Sequence, residues 1–320
     1  MKTIYLDFNI FESWRRGEQK TYQLDEHIKR LKGKIYYSPA HIEDIATVSQ
    51  RYKPEDFEKM VQEKLEFISK KTSNRCILPY LSNGYLERRY PINRKFGQSF
   101  LTEEYPNECY SRVVDNYKRN DYAESVNREN MEINSLVESN ISSHKEILDE
   151  IDNEKLRDYL FNYWVFSCKY QRVENNVIID ITNGDMDKEF KEIKLIKSFL
   201  NKYRGNEILS KVIYRKDVLS KKFELFSADF KLIEIMIECL FNIIESKGFY
   251  RENIDKKKKK IRSRLHDITH AIYGSYFDFF ITSDKKLAHK AYVIYKSIGS
   301  RTIVYLLEDN GIFTDLGTFD

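Results

Sequence analysis

The apolar positions of this chain fall into short strand-like runs at its two ends and helical stripes between them. At the start, "KTIYLDF" is an apolar run of strand length that closes on a charge, Asp7. "EHIKRLKG" has a helix's texture and stops at Gly33, and "KIYYSPAHIEDIA" reads as a second strand, a turn at Ser38 and Pro39, and a new helix. From residue 54 the period changes. "PEDFEKMVQEKLEFISKK" starts on a proline and sets Phe57, Met60, Val61, Leu65 and Ile68 at helical spacing. Residues 74–118 carry Pro79, Gly84, Pro91, Gly97 and Pro106 and are expected to be irregular. Helical patterns follow in "NREN…SSHKEILDEID", read as one long polar helix over 127–152, and in "NEKLRDYLFNYWVFSCKY" and "DKEFKEIKLIKSFLNKY". In "FKLIEIMIECLFNII" the stripe Leu232, Ile235, Met236, Cys239, Leu240, Ile243 and Ile244 is expected to pack into a core. The C-terminal stretch returns to the opening pattern: helix "IRSRLHDITHAIYGSY", strand "DFFITS", helix "KKLAHKAYVIYKSIG", strand "RTIVYLL".

A parallel sheet needs both sets of strands, since each parallel pair requires a long crossover. The expected architecture is therefore α/β: a parallel sheet flanked by helices, built from residues 1–53 and 252–320 and interrupted by a large all-α insertion over 54–251.

Composition narrows the class. Hydrophobic residues at 41% and aromatics at 14% can build a real core, which excludes wholesale disorder. The net charge of +4 permits nucleic-acid binding without requiring it. Cys76, Cys109, Cys168 and Cys239 form no CxxC pair, so buried thiols are expected, not a disulfide framework or a zinc site. Asp7 and Glu12 interrupt the N-terminal apolar run, which lacks a signal peptide's core, and no window is apolar enough to span a bilayer. The expectation is a cytoplasmic protein with no membrane partner.

Carboxylates recur where the expected strands end. Asp7 closes the first, Glu43 lies in the first turn of the helix after the second, and Asp284 lies just beyond "FFITS". Asp267 sits on the helix preceding that strand. Open parallel sheets bind ligands at the carboxyl ends of their strands, so these acids are expected at one edge. Carboxylates gathered there repel one another unless a cation joins them, and an all-oxygen set suits Mg²⁺ or Mn²⁺. Such an ion activates water and stabilises charge on a departing phosphate-ester oxygen.

This layout resembles the PIN-domain nucleases. The features that carry the resemblance are "YLDFN" with Asp7 and Asn9, "YYSPAHIEDI" with Glu43, "HDITHA" with Asp267, and "FITSD" with Thr282 and Asp284. It covers the first 50 and last 60 residues, roughly, and leaves the middle unmatched. It implies a PIN-like fold in which Asp7, Glu43, Asp267 and Asp284 bind Mg²⁺ or Mn²⁺ and cleave RNA, with Asn9 orienting the first acid and Thr282 supporting the last. It further implies a prokaryotic toxin or antiviral-defence effector, with tRNA as a plausible substrate. The insertion would select substrate, form a homodimer or receive a regulatory protein. Two rival functions are a non-catalytic RNA-binding or scaffold subunit and a DNA nuclease of the flap kind.

Several residues carry a second reading. Glu43 and Asp44 are adjacent, so one faces the cleft and the other is a solvated acid favoured by the helix dipole; Glu43 is the expected ligand. Asp278 precedes its strand and is read as structural, while Asp284 can also cap the following helix. His266 and His270, four apart in "HDITH", differ from the zincin pattern by Asp for Glu, and the strands argue against an all-helical HD phosphohydrolase. They are expected to support or pack beside Asp267. In "DKKKKKIRSR", Lys256, Lys257, Lys258, Lys259, Lys260, Arg262 and Arg264 are candidate phosphate contacts. "YLERRYPINRKFG" mixes basic and aromatic residues as a single-strand clamp does.

Overall fold

Lys2–Leu6 forms the first strand, β1, buried along both faces beyond Lys2. A run with that burial belongs inside a parallel sheet, where helices cover both sides. The computed structural model describes residues 2–49, 54–79, 99–117, 141–151, 219–220, 223–226, 230–251, 258–297 and 300–319. After β1 come α1 (Phe8–Arg15), α2 (Leu24–Arg30), β2 (Gly33–Tyr36), α3 (Pro39–Ser49), α4 (Pro54–Thr72), β3 (Arg75–Pro79), β4 (Ser99–Glu103) and α5 (Pro106–Tyr117). Then follow α6 (His144–Ile151), β5 (Leu219–Ser220), β6 (Phe223–Phe226) and α7 (Phe230–Ser246). The chain closes with α8 (Lys258–Gly274), β7 (Phe279–Thr282), α9 (Lys285–Ser297), β8 (Ile303–Leu307) and β9 (Phe313–Asp315). Among the described residues no helix is long and apolar enough to cross a membrane.

The first sheet has the order β2-β1-β7-β8-β9, parallel through β8, with β9 returning antiparallel. It unites strands from the two ends of the chain, as the α/β expectation requires. Side-chain alternation sorts its faces. Ile4, Leu6, Phe279 and Ile281 enter a core with Phe8, Ile35 and Leu65, under α1 and α4. Tyr5 and Phe280 enter the other, with Ile268 and Ile272 of α8 and Leu287 and Ala291 of α9. Asp278 joins the starts of β1 and β7, accepting from the Thr3 backbone N–H at 2.8 Å and from its hydroxyl at 2.9 Å.

Gly33 does not stop a helix; it opens β2 opposite Lys2. A Cβ at Gly33 would stand 2.5 Å from Ile4 Cδ1, so the bare backbone is what lets β2 lie against that side chain. The turn before it falls to Lys32, at φ 51°.

The stretch expected to be all-helical is not. Among the described residues of 54–251, β3, β4, β6 and β5 form a second, antiparallel sheet in that order. β3 and β4 lie inside 74–118, where irregular chain was expected; Pro79 ends a strand and Pro106 begins a helix, both positions that need no backbone N–H. Tyr37, one residue past β2, bridges Cys76 in parallel: its N–H donates to Arg75 O at 3.0 Å and its carbonyl accepts from Ile77 at 2.9 Å. Ile77, Leu101, Ile147, Phe230 and Ile237 share a core with Tyr5, Ile268 and Phe280, so this part of the insertion packs into the terminal strands' own core. On α7, Ile233, Ile237, Leu240, Phe241 and Ile244 are buried; of the expected stripe, Leu240, Ile243 and Ile244 are, and the other side chains lie outside the described residues. The expected helices at 153–170 and 187–203 and the basic aromatic loop at 85–97 also lie outside them.

Candidate functional site

β1 lies between β2 and β7, so the chain leaves β1 toward one neighbour and resumes the sheet on its other side. In open α/β sheets the carboxyl edge beside such a reversal of strand order is where ligands are received. Asp7 stands there at the end of β1, 1% exposed. Its Oδ2 accepts from the Thr282 hydroxyl at 2.8 Å and from Asn9 Nδ2 at 3.3 Å. Thr282, the last residue of β7, also accepts the Asp284 backbone N–H at 3.0 Å. Asp284 Oδ1 accepts the Leu287 N–H at 3.0 Å, which makes it the cap of α9 as well as the acid beyond the strand. Asp267 is half-buried on α8, with no hydrogen-bond partner for its carboxylate among the described residues.

The carboxylates feel one another. Burial raises the Asp7 carboxyl above its ordinary range; the charges of Asp44 and Asp284 add to this, while His270 and the Thr282 hydroxyl oppose it. Burial also pushes Asp267 well up, helped by Asp7, Asp284 and Asp44 and countered by Lys290. Asp7, Asp44, Asp267 and Asp284 thus share one electrostatic neighbourhood.

Of the adjacent pair on α3, Asp44 is the member joined to Asp7. His270 Nε2 lies 2.7 Å from Asp44 Oδ2 and 3.9 Å from Asp7 Oδ1, and His266 Nδ1 lies 3.1 Å from Asp44 Oδ1. Asp44 is therefore no solvated helix-start acid. Burial alone would raise its carboxyl, but the His270 hydrogen bond and the charges of His266 and His270 bring it below its usual value. Glu43, the ligand expected from sequence, faces Asp44, His270 and Glu234; burial and the Asp44 charge push it up to about 7. The two histidines, expected to stand beside Asp267, hold Asp44.

The basic run divides. Lys256 and Lys257 lie outside the described residues; Lys258, Lys259 and Lys260 form the first turn of α8, their side chains and that of Arg262 also outside them. Arg264 is not a phosphate contact: it is 0% exposed, with Nε 2.6 Å from Glu245 Oε2 and Nη2 2.5 Å from Asn242 Oδ1. Lys290, equally buried, takes the other Glu245 oxygen at 2.7 Å. α8 turns Arg264 into the core because a buried carboxylate waits there.

Sequence reasoning missed the polar groups behind the acids. Tyr5 Oη lies 2.8 Å from His270 Nδ1 and 2.7 Å from Ser38 Oγ. The Ser38 backbone N–H donates to His41 Nδ1 at 3.0 Å, which leaves His41 Nε2–H to donate to Leu6 O at 2.7 Å. Burial and the His270 charge depress His41 to about 3, so it stays neutral. The available signal was the spacing Ser38-x-x-His41, which runs from the residue before α3 to the third residue of that helix.

Among the described residues no group of three or more His, Cys, Asp or Glu is arranged to hold a metal ion as the side chains stand. Chemically the donors fit one: they are carboxylate oxygens that burial, and after it the neighbouring acids, hold above their ordinary range at Asp7 and Asp267, and a hard divalent cation compensates buried negative charge of that kind. Compared with protein-family models, curated proteins and solved structures, the chain matches none.

Proposed function

We propose that this chain is a Mg²⁺- or Mn²⁺-dependent endonuclease that hydrolyses RNA in the cytoplasm. The observation that carries the reading is the gathering of Asp7, Asp44, Asp267 and Asp284 at the carboxyl edge beside the β1–β7 reversal, with Asp7 and Asp267 raised by burial first and by the neighbouring acids second. A bound divalent cation would supply an activated water and charge stabilisation at the departing oxygen. Asp7, oriented by Thr282 and Asn9, is a candidate ligand together with Asp267 and Asp284, and Asp44 takes the place expected for Glu43. Lys256, Lys257, Lys258, Lys259, Lys260 and Arg262 are the candidate backbone contacts. A toxin or antiviral-defence effector acting on tRNA is the setting that the resemblance to PIN-domain nucleases supports, with the insertion as the surface for substrate or partner.

The test is incubation of a mixed RNA pool that includes tRNA with wild type and Asp7→Asn, in Mn²⁺ or in EDTA. Cleavage by the wild type in Mn²⁺ alone, lost in Asp7→Asn, is the expected result. RNA bound but uncut, with single- and double-stranded DNA also intact, would overturn the nuclease reading in favour of a binding subunit. Cleavage of DNA alone would replace RNA by a flap-type substrate.

A further inference from the structure

Two carboxylates, Asp7 and Asp44, are buried side by side with one imidazole between them. His270 Nε2 is hydrogen-bonded to Asp44 Oδ2, and an ionised carboxylate only accepts, so Nε2 carries a hydrogen and gives it to Asp44 while Asp7 Oδ1 stands 3.9 Å from the same nitrogen. The other ring nitrogen meets the Tyr5 hydroxyl, which is able to donate or accept, so His270 is satisfied in either ring state. His266 reaches the second Asp44 oxygen from one turn earlier on α8. Behind them Ser38 and His41 continue the chain of hydrogen bonds to the carbonyl of Leu6, the residue before Asp7. Tyr5, Ser38 and His41 are 0% exposed and His270 1%. A polar chain in such a place is costly unless every member is satisfied, and apolar side chains would fill the same volume at less cost. Its two ends, Asp44 and the backbone at Leu6–Asp7, are where the candidate cation site begins.

We propose that His266 and His270 are positioning residues that clamp Asp44 against Asp7 and so set the geometry of the cation site, with Tyr5 and Ser38 fixing the His270 ring. The inference rests on the divalent-cation reading above. It assigns the pair an indirect role: the imidazoles touch the acids, not the cation or the substrate. Removing a side chain that orients a metal-binding group lowers affinity about 10–100-fold in comparable sites.

The experiment is Mn²⁺ titration of the intact chain, followed by electron paramagnetic resonance of the free ion, with thermal unfolding as the folding control. His270→Ala is expected to weaken Mn²⁺ binding at least tenfold. His270→Gln, whose amide N–H can reach Asp44, is expected to recover most of that loss. Because His270 acts through Asp44, the losses of His270→Ala and Asp44→Asn should not add in the double variant. Wild-type affinity in His270→Ala, or additive losses, would overturn the clamp and leave the cation reading intact. Wild type that binds no Mn²⁺ would sink both, which separates the two failures. A merely structural histidine would lower the melting temperature without moving the Mn²⁺ affinity.

Discussion

Thr282 is the point at which stability and the candidate site can be tested together. Its hydroxyl is buried between a donor and an acceptor: it donates to Asp7 Oδ2 at 2.8 Å and accepts the Asp284 N–H at 3.0 Å. Thr282→Val keeps the shape and the preference for a strand but removes both bonds. The bond to a charged acceptor is worth about 1.5–3 kcal/mol, and the stranded Asp284 N–H adds about 1–3 kcal/mol. A loss of about 4 kcal/mol is therefore the central expectation. With an unfolding entropy of about 2.1 cal/mol/K per residue, the 320-residue chain would melt roughly 6 °C lower. Thr282→Ser retains the hydroxyl and gives up one methyl group, so its loss should stay below about 1.5 kcal/mol. Calorimetry of the three proteins in EDTA reads the difference without any cation. RNA cleavage in Mn²⁺ should fall in the same order, with Val the most damaged, because the Asp7 carboxylate loses the Thr282 donor that orients it. If Val melts within 1 °C of wild type, roughly 0.7 kcal/mol on this scale, the hydroxyl does not bridge Asp7 and Asp284 and the argument fails.

Other consequences follow from the same structure. Glu245→Gln removes the carboxylate that both Arg264 and Lys290 face in the core; it should cost about 3–5 kcal/mol by urea unfolding, and a loss under about 1 kcal/mol would mean the triad is not integral to the fold. Mn²⁺ should raise the melting temperature of the wild type at pH 7 by an amount equivalent to about 2.7 kcal/mol at a hundredfold excess over its dissociation constant, and Asp267→Asn should abolish the rise; equal rises in both would remove Asp267 from the site. His289 packs under Tyr250 with ring centroids 4.3 Å apart, and burial together with the His144 and Lys285 charges depresses it to about 4. Its folded value lies below the unfolded one of about 6.5, so the unfolded chain binds more protons between them and stability falls as pH drops through that window, no more steeply than about 1.4 kcal/mol per unit. Urea midpoints at several pH values should show that slope reduced in His289→Phe, and an unchanged slope would assign it to other groups.

The local patterns were legible because they report on local physics. The apolar runs at "TIYL", "FFIT" and "IVYLL" name strands that sit inside a parallel sheet, and their terminal charges name the edge where Asp7 and Asp284 stand. Helical spacing found α4 and α9 for the same reason. What depends on a distant partner was not legible. β3 and β4 are strands because they pair with each other across residues 79–99 and because Tyr37 meets Cys76, contacts that no local period encodes. Arg264 looks like one more member of a basic run, but the register of α8 against α7 carries it to Glu245 and away from any phosphate. Glu43 and Asp44 are neighbours in the second turn of α3, about 100° apart; which one joins Asp7 is decided by two histidines more than 200 residues later, brought over α3 by the packing of α8. The sequence determines which residues can carry charge to the sheet's edge, since that follows from strand ends and helix starts. Only the tertiary structure decides which of them meet, since a buried carboxylate is stable where another element supplies its donors.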